Sequence, residues 1–321
     1  MRAADPARLF ALAWRWVPRM PRSVASALFD VIAVAVHTLR IPGVRQLERN
    51  LDRLVPGLDR RRLRRLSRRG MRSYMRYYCE AFQLPGMSET EVDARVRASG
   101  HEWVADEVRG GGTVVLALGH AGNWDLAGAW ANRHLGTVIT VAERLEPEEL
   151  FEEFMAFRES LGMVIVPHER GGGVFRHLLR ASRRPGVVPL LADRDLSSTG
   201  VETDLEVPGR PALRVAPGPA ALALARGSRL VPVLVSYERL TGPRRRAARS
   251  RWGVHIEFLA EIPVPDRAGG TMQDLSATLT RTWFAAYAAR LAQVPEDWHM
   301  LQKVFVDDLD PARRRETGEG P

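Results

Sequence analysis

The chain has 321 residues, 45% hydrophobic and 26% charged, enough apolar material for a substantial core in one large domain or two small ones. A single cysteine, Cys79, excludes an intrachain disulfide framework and a cysteine metal site, and suits a reducing compartment. A formal net charge of +9, carried by arginines with Lys303 as the only lysine, points to anionic partners: lipid, coenzyme phosphates or nucleic acid.

In chain order, Leu9, Phe10, Leu12, Ala13, Trp16 and Val17 recur at helical spacing with Arg8, Arg15 and Arg19 nearby. This predicts an amphipathic helix. Trp14 and Trp16 either anchor it at a lipid interface or turn it into the core. Residues 25–39 form the most apolar run, but they carry Asp30 and His37 and fall short of the roughly 20 residues a spanning helix needs. The N-terminus lacks a long apolar region followed by a small-residue cleavage site and is not read as a signal peptide. After breaks at Ile41-Pro42-Gly43 and Pro56-Gly57, residues 59–71 (DRRRLRRLSRRGM) are the densest basic patch, with Leu63 and Leu66 as a thin apolar face. It fits a solvated helix face and equally a surface docking to anionic headgroups. Residues 73–82 (SYMRYYCEAF) form an aromatic-rich helix.

From Val114 the pattern changes to alternating strand and helix. Apolar runs at 114–119, 137–143, 163–169, 187–195, 229–238 and 254–262 read as strands. Segments 124–135, 146–162, 174–186, 217–227 and 272–295 read as helices, and 196–214 as loop. Alternation of this kind predicts an α/β fold, a single domain with a central, mostly buried β-sheet flanked by helices. We divide the chain into a helical, membrane-associating part over 1–90 and an α/β part over 100–310. The last residues, 311–321, read as a disordered tail.

In open α/β sheets, chemistry gathers at the carboxyl ends of strands. The first such end runs into GHAGNWD, with His120 five residues before Asp125. A carboxylate on Nδ1–H fixes an imidazole tautomer and frees Nε2 to act as a base. Gly119 and Gly122 let a substrate approach the backbone, Asn123 lies inside the motif, and backbone N–H groups over 119–123 are candidate oxyanion donors. The spacing alone is weak, since many such pairs are simply solvated. A second strand end carries Glu143 and Arg144. A third runs into Asp193-Arg194-Asp195, costly unless those charges are paired or used. Asp193 is the candidate second carboxylate near His120, with an ion-pair turn as the plain reading. Arg158 is a candidate phosphate clamp or an ordinary helix ion pair. Glu202 and Asp204 are loop acids suited to sugar hydroxyls or to water alone. His168 is a lower-ranked cleft candidate. No Walker, dinucleotide-binding or Gly-x-Ser-x-Gly signature is present.

The motifs GHAGNWDLAGAW (119–130), AERLEPEELFEEFMAFRESLGM (142–163), LLADRDLSSTGVETD (190–204) and PEDWHMLQKVFVDDL (295–309) resemble the bacterial lysophospholipid acyltransferase superfamily. Within it they are similar to the lipid A late acyltransferase branch, and there to phosphatidylinositol mannoside acyltransferases. The helix over 73–85 also fits, so the resemblance spans nearly the whole chain. It implies a glycerol-3-phosphate acyltransferase-like fold and acyl transfer from acyl-CoA to a lipid-linked mannose hydroxyl. The expected setting is peripheral, at the cytoplasmic face of the inner (plasma) membrane. By motif, His120 matches the family base, Asp125 its motif partner and Arg158 a family arginine. Asp193 falls where the mannoside enzymes carry an acid, here one methylene shorter, so either carboxylate remains open as the partner of His120. Substrate contacts are expected from Arg158, Glu143, Arg194, Asn123 and Glu202. The expected partners are acyl-CoA, a phosphatidylinositol mannoside or related glycolipid, and an anionic membrane surface. No nucleic acid, metal or redox cofactor is expected. A lipid A-type acceptor, or a non-catalytic basic membrane- or nucleic-acid-binding protein, are the alternatives.

Overall fold

The computed structural model describes residues 6–143, 148–168, 173–195, 199–205, 212–265 and 270–309. The tail over 311–321 lies outside the described residues, as do Arg144 and Glu169.

The chain begins with a helical layer: α1 (Pro6–Trp16), α2 (Arg22–Leu39), α3 (Pro42–Leu54) and α4 (Arg60–Gln83). A 3-10 turn over Val17–Arg19 and the N-cap Pro21 separate α1 from α2. Helix α2 buries Ala25, Phe29, Ala33 and His37, a stripe with i, i+4 spacing, and packs on α4. Its other side leaves Val24, Leu28, Val31 and Leu39 exposed. It has 18 residues at a mean hydropathy of 1.4, long and apolar enough to cross a membrane by length and composition alone. Of the two placements open to the tryptophans, Trp14 takes the inward one: its ring packs edge-on against Phe82 and Phe157, whereas Trp16 is exposed. The arginine-rich and aromatic-rich segments, read separately in the sequence, form one 24-residue helix, α4, capped by Asp59. Gly70 is a packing position within it: a Cβ there would lie 3.3 Å from Leu47.

Two short helices, α5 (Glu89–Arg95) and α6 (Val104–Arg109), flank strand β1 (Val96–Ser99) and lead to β2 (Thr113–Leu118). Next come α7 (Trp124–His134), β3 (Ile139–Glu143), α8 (Glu148–Ser160), β4 (Val164–His168), α9 (Val174–Ala181) and β5 (Gly186–Leu191). A hairpin of β6 (Val201–Thr203) and β7 (Leu213–Val215) precedes α10 (Gly218–Arg226). The chain continues with β8 (Arg229–Arg239), α11 (Gly242–Ala247), β9 (Trp252–Phe258) and α12 (Met272–Leu291).

The main sheet has the order β1-β9-β8-β2-β5. Every pairing in it is parallel except β8 with β9. The parallel pair β3-β4 adjoins its β5 edge through a bridge between Val138 and Val187. Strand β2 is buried along its whole length, and its alternate residues enter different cores. Val115 and Ala117 join Trp283, Phe284 and Tyr287 of α12 and Leu222 of α10. Val114, Leu116 and Leu118 join Leu126 and Trp130 of α7. Two covered faces explain why the strand reads as a continuous apolar run.

Candidate active site

Register positions the central pair. Strands β2 and β5 run parallel with Leu118 opposite Leu191, and the Ala192 N–H extends the ladder to the Leu118 carbonyl at 2.8 Å. His120 and Asp193 each lie two residues beyond those paired ends, at the same level of the sheet. His120 Nδ1 is 2.6 Å from Asp193 Oδ1, and the His120 backbone N–H donates to Asp193 Oδ2 at 3.0 Å. Asp193 is fully buried, while the His120 side chain is 30% exposed. Burial pushes the Asp193 carboxyl up, but the facing His120 and the hydrogen bonds around it hold it below the usual carboxylate range. An ionised carboxylate only accepts, so Nδ1 carries the proton and Nε2 presents its lone pair. Asp193 thus reaches the imidazole despite its shorter side chain. Gly119 makes the turn possible: a Cβ there would collide with the Tyr287 hydroxyl and lie 2.7 Å from Asp193 Oδ2.

Asp125 does not touch His120 Nδ1, which corrects one of the two carboxylate assignments the sequence leaves open. It lies in the first turn of α7 and accepts from the Tyr77 hydroxyl and from Arg158 Nε, each at 2.9 Å. Burial, reinforced by the Asp125 charge, pushes the Tyr77 phenol well above its ordinary value and keeps it a neutral donor. Asp125 therefore ties α7 to α4 and α8. Asn123 is likewise corrected from substrate contact to helix cap. Its Oδ1 accepts the Leu126 N–H and its Nδ2 donates to Glu80 Oε2, both at 3.0 Å, in a side chain only 1% exposed. Three of the expected oxyanion donors are also spent. The N–H of His120 goes to Asp193, that of Ala121 to the Gly119 carbonyl and that of Gly122 to the Asp297 carbonyl.

Of the remaining predicted contacts, Arg194 is half-buried and follows Asp193 directly. Glu143 ends β3 opposite His168 of β4. Glu202 pairs across the β6–β7 hairpin with Arg214 at 3.3 Å. It also lines a surface pocket of about 290 Å³ with Asp204 and Arg281.

The segment after α12 carries one of the motifs of the family resemblance, but the sequence assigns it no role at the site. Trp298 bridges to Ala121, the His299 N–H donates to the His120 carbonyl at 2.7 Å, and the Trp298 indole N–H donates to Asp193 Oδ2 at 2.8 Å. Behind it, Asp297 accepts from the Ser73 hydroxyl at 2.6 Å and the Tyr237 N–H at 2.7 Å. Ser73 Oγ, its proton spent, lies 3.0 Å from His299 Nε2, which is then the protonated nitrogen. Burial holds His299 down to about 3 and pushes Asp297 up to about 6. The motif PEDWHM is visible in the sequence, but nothing in it signals a partner 105 residues upstream.

The family model for bacterial lipid A biosynthesis acyltransferases matches residues 7–306, and the chain belongs to that family. It is therefore an O-acyltransferase acting on glycolipids. The chain is 35% identical over 312 residues to a phosphatidylinositol mannoside acyltransferase of Mycolicibacterium smegmatis, covering 96% of this chain and 94% of that protein. It is 34% identical over 308 residues to a phosphatidylinositol mannoside acyltransferase of Mycobacterium tuberculosis, covering 95% and 90%. Among solved structures, a 1-acyl-sn-glycerophosphate acyltransferase from Thermotoga maritima aligns over 84% of this chain and 98% of its own, at 13% identity and a TM-score of 0.36.

Two outcomes are expected from this arrangement. Asp125→Asn removes the buried charge that accepts from Arg158 Nε and the Tyr77 hydroxyl and should lower the unfolding free energy by about 3 kcal/mol. A loss below about 1 kcal/mol in urea titration, the scale of a surface pair, would contradict the tie between helices. The second concerns pH. His299 binds a proton more readily unfolded, at the ordinary 6.5, than folded. Its contribution to stability is complete above that value and drains away as pH falls toward 3. Asp297 acts oppositely, complete below its ordinary 3.8 and lost as pH rises through about 6. Asp297→Asn removes the opposing slope, so its melting temperature should fall more steeply than the parent's on acidification between those two ordinary values. A parallel fall would contradict the assignment.

Proposed function

We propose that the protein transfers a fatty acyl group from acyl-CoA to a mannose hydroxyl of a phosphatidylinositol mannoside, with His120 as general base. The observation that carries the reading is the 2.6 Å contact between His120 Nδ1 and Asp193, which engages Nδ1 and leaves Nε2 clear of the carboxylate, in a side chain that is 30% exposed. Nε2 takes the hydroxyl proton as the sugar oxygen attacks the thioester carbonyl. The tetrahedral adduct then collapses, the C–S bond breaks, and the departing coenzyme thiolate takes that proton from the imidazolium. Asp193 offsets the imidazolium charge while it lasts. A general base of this kind contributes about 10²–10⁴-fold. A cysteine-linked intermediate is disfavoured because burial pushes the Cys79 thiol up to about 12, so the nucleophilic thiolate is scarce. The mannoside acceptor is carried over from the names of the similar mycobacterial proteins. The thioester donor fits the chemistry, since coenzyme A leaves readily without covalent help from the protein. No metal or redox cofactor enters the proposed step.

We further propose that the protein sits peripherally on the cytoplasmic face of the plasma membrane. Supporting this, Leu12, Trp16, Val24, Leu28, Val31, Leu39 and Ile41 are exposed on and just after the first two helices. Arg60, Arg61, Arg64, Arg65 and Arg68 are exposed on α4, against which α2 packs. An apolar face beside a basic one suits insertion into an anionic leaflet. The stripe that α2 buries against α4 favours a helix lying along the protein over one crossing the bilayer.

The reaction is tested with labelled palmitoyl-CoA, offering phosphatidylinositol mannosides and a lipid A precursor separately. Label should enter the mannoside. His120→Ala and Asp193→Asn should each lose about 10²-fold or more in kcat while keeping the parent's circular dichroism. Label only in the lipid A precursor would move the acceptor to that class. Full activity in His120→Ala would overturn the mechanism. For the membrane, the double variant Leu28→Glu, Val31→Glu should float with anionic vesicles roughly tenfold less than the parent. Equal flotation would overturn the docking face.

A further inference from the structure

Three N–H groups converge on the buried Asp193 carboxylate: the His120 ring, the His120 backbone and the Trp298 indole. The first two belong to one residue. Among the described hydrogen bonds, Trp298 supplies the donor from elsewhere in the chain. It is an unusually fixed donor. Its side chain is 1% exposed in the core shared with Phe284 and Tyr287, and its backbone bridges to Ala121 beside the imidazole.

An aspartate's χ2 is a broad torsion with no strong intrinsic minimum, so its own rotamer preference does not aim the carboxylate plane. A donor fixed by packing does. With Oδ2 held at 2.8 Å by the indole and at 3.0 Å by the His120 backbone, Oδ1 is directed at Nδ1. Phenylalanine would fill most of the same space but would supply no donor.

We propose that Trp298 is a positioning residue for the reaction. Its indole N–H holds the Asp193 carboxylate in the plane that meets His120 Nδ1, and thereby sets the tautomer of the base. This rests on the reading of His120 as general base. The Trp298 indole reaches the base through Asp193: it is buried, and its N–H donates to that carboxylate. It also gives a role to the WH pair near the end of the chain. The same short segment holds the His120 carbonyl through His299 and the Asp193 side chain through Trp298.

The test replaces Trp298 by β-(3-benzothienyl)alanine, which keeps the bicyclic shape and exchanges the N–H for sulfur. In the full-length protein, kcat should fall about tenfold or more, as loss of a hydrogen bond to a charged group requires. KM for both substrates should stay within about twofold of the parent. In the Asp193→Asn background the same replacement should change kcat by less than about twofold, because the two side chains act as a unit. Trp298→Phe, made alongside with its melting curve, should follow the same pattern. An unchanged kcat in the isostere, with His120→Ala inactive, would overturn the proposal and leave the base reading standing. An equal loss in both backgrounds would overturn it too, since the effect would then come from packing. An active His120→Ala would instead overturn the reading beneath it.

Discussion

The structure is organised around one buried carboxylate. Asp193 has no exposure to water, and an ionised carboxylate in that position is tolerable only if its lone pairs are met by donors. They are met by the turn after β2 and by the segment after α12, while the carboxylate itself stands at the end of β5. Three stretches far apart in sequence are therefore pinned at one point. The imidazole is oriented by the same contacts that make the buried charge affordable.

The parallel sheet explains why this point falls where it does. With Leu118 opposite Leu191, the two chains leave the sheet side by side, and the first polar side chains past the ladder meet. The motif spacing then has a geometric meaning different from the obvious one. His120 lies in the turn and α7 starts at Trp124, so Asp125 is already one residue into the helix. Its carboxylate looks toward Tyr77 and Arg158. One acid orients the base. The other fastens the helical layer to the α/β part, since Tyr77 belongs to α4 and Arg158 to α8.

Much of this was legible in the sequence. The run 114–119 reads as a buried strand, and an apolar strand running into Asp193 declares a charge that must be paired or used. The helix-cap role of Asn123 was also legible, as an Asn immediately before a helical segment with an acid in its first turn, but its place inside the motif favoured a ligand reading. Strand β1 was not legible, because VRAS is four residues with a mixed burial pattern and gains its identity only by pairing with β9. Strands β6 and β7 have three residues each and exist by pairing with one another. The Trp298 donor leaves no local trace, because its meaning is a contact across 105 residues. The exposed apolar side of α2 was visible only in part: composition gives its hydropathy, but which stripe packs on α4 is a property of the fold.

Asp193, and not Asp125, holds the proton-bearing Nδ1 of His120. The direct measurement is the Nδ1–H resonance of His120 in proton spectra of the protein labelled with 15N-histidine. The parent should show a strongly downfield Nδ1–H signal that persists in Asp125→Asn and is lost in Asp193→Asn. A signal that survives in Asp193→Asn, or disappears in a folded Asp125→Asn, would contradict it.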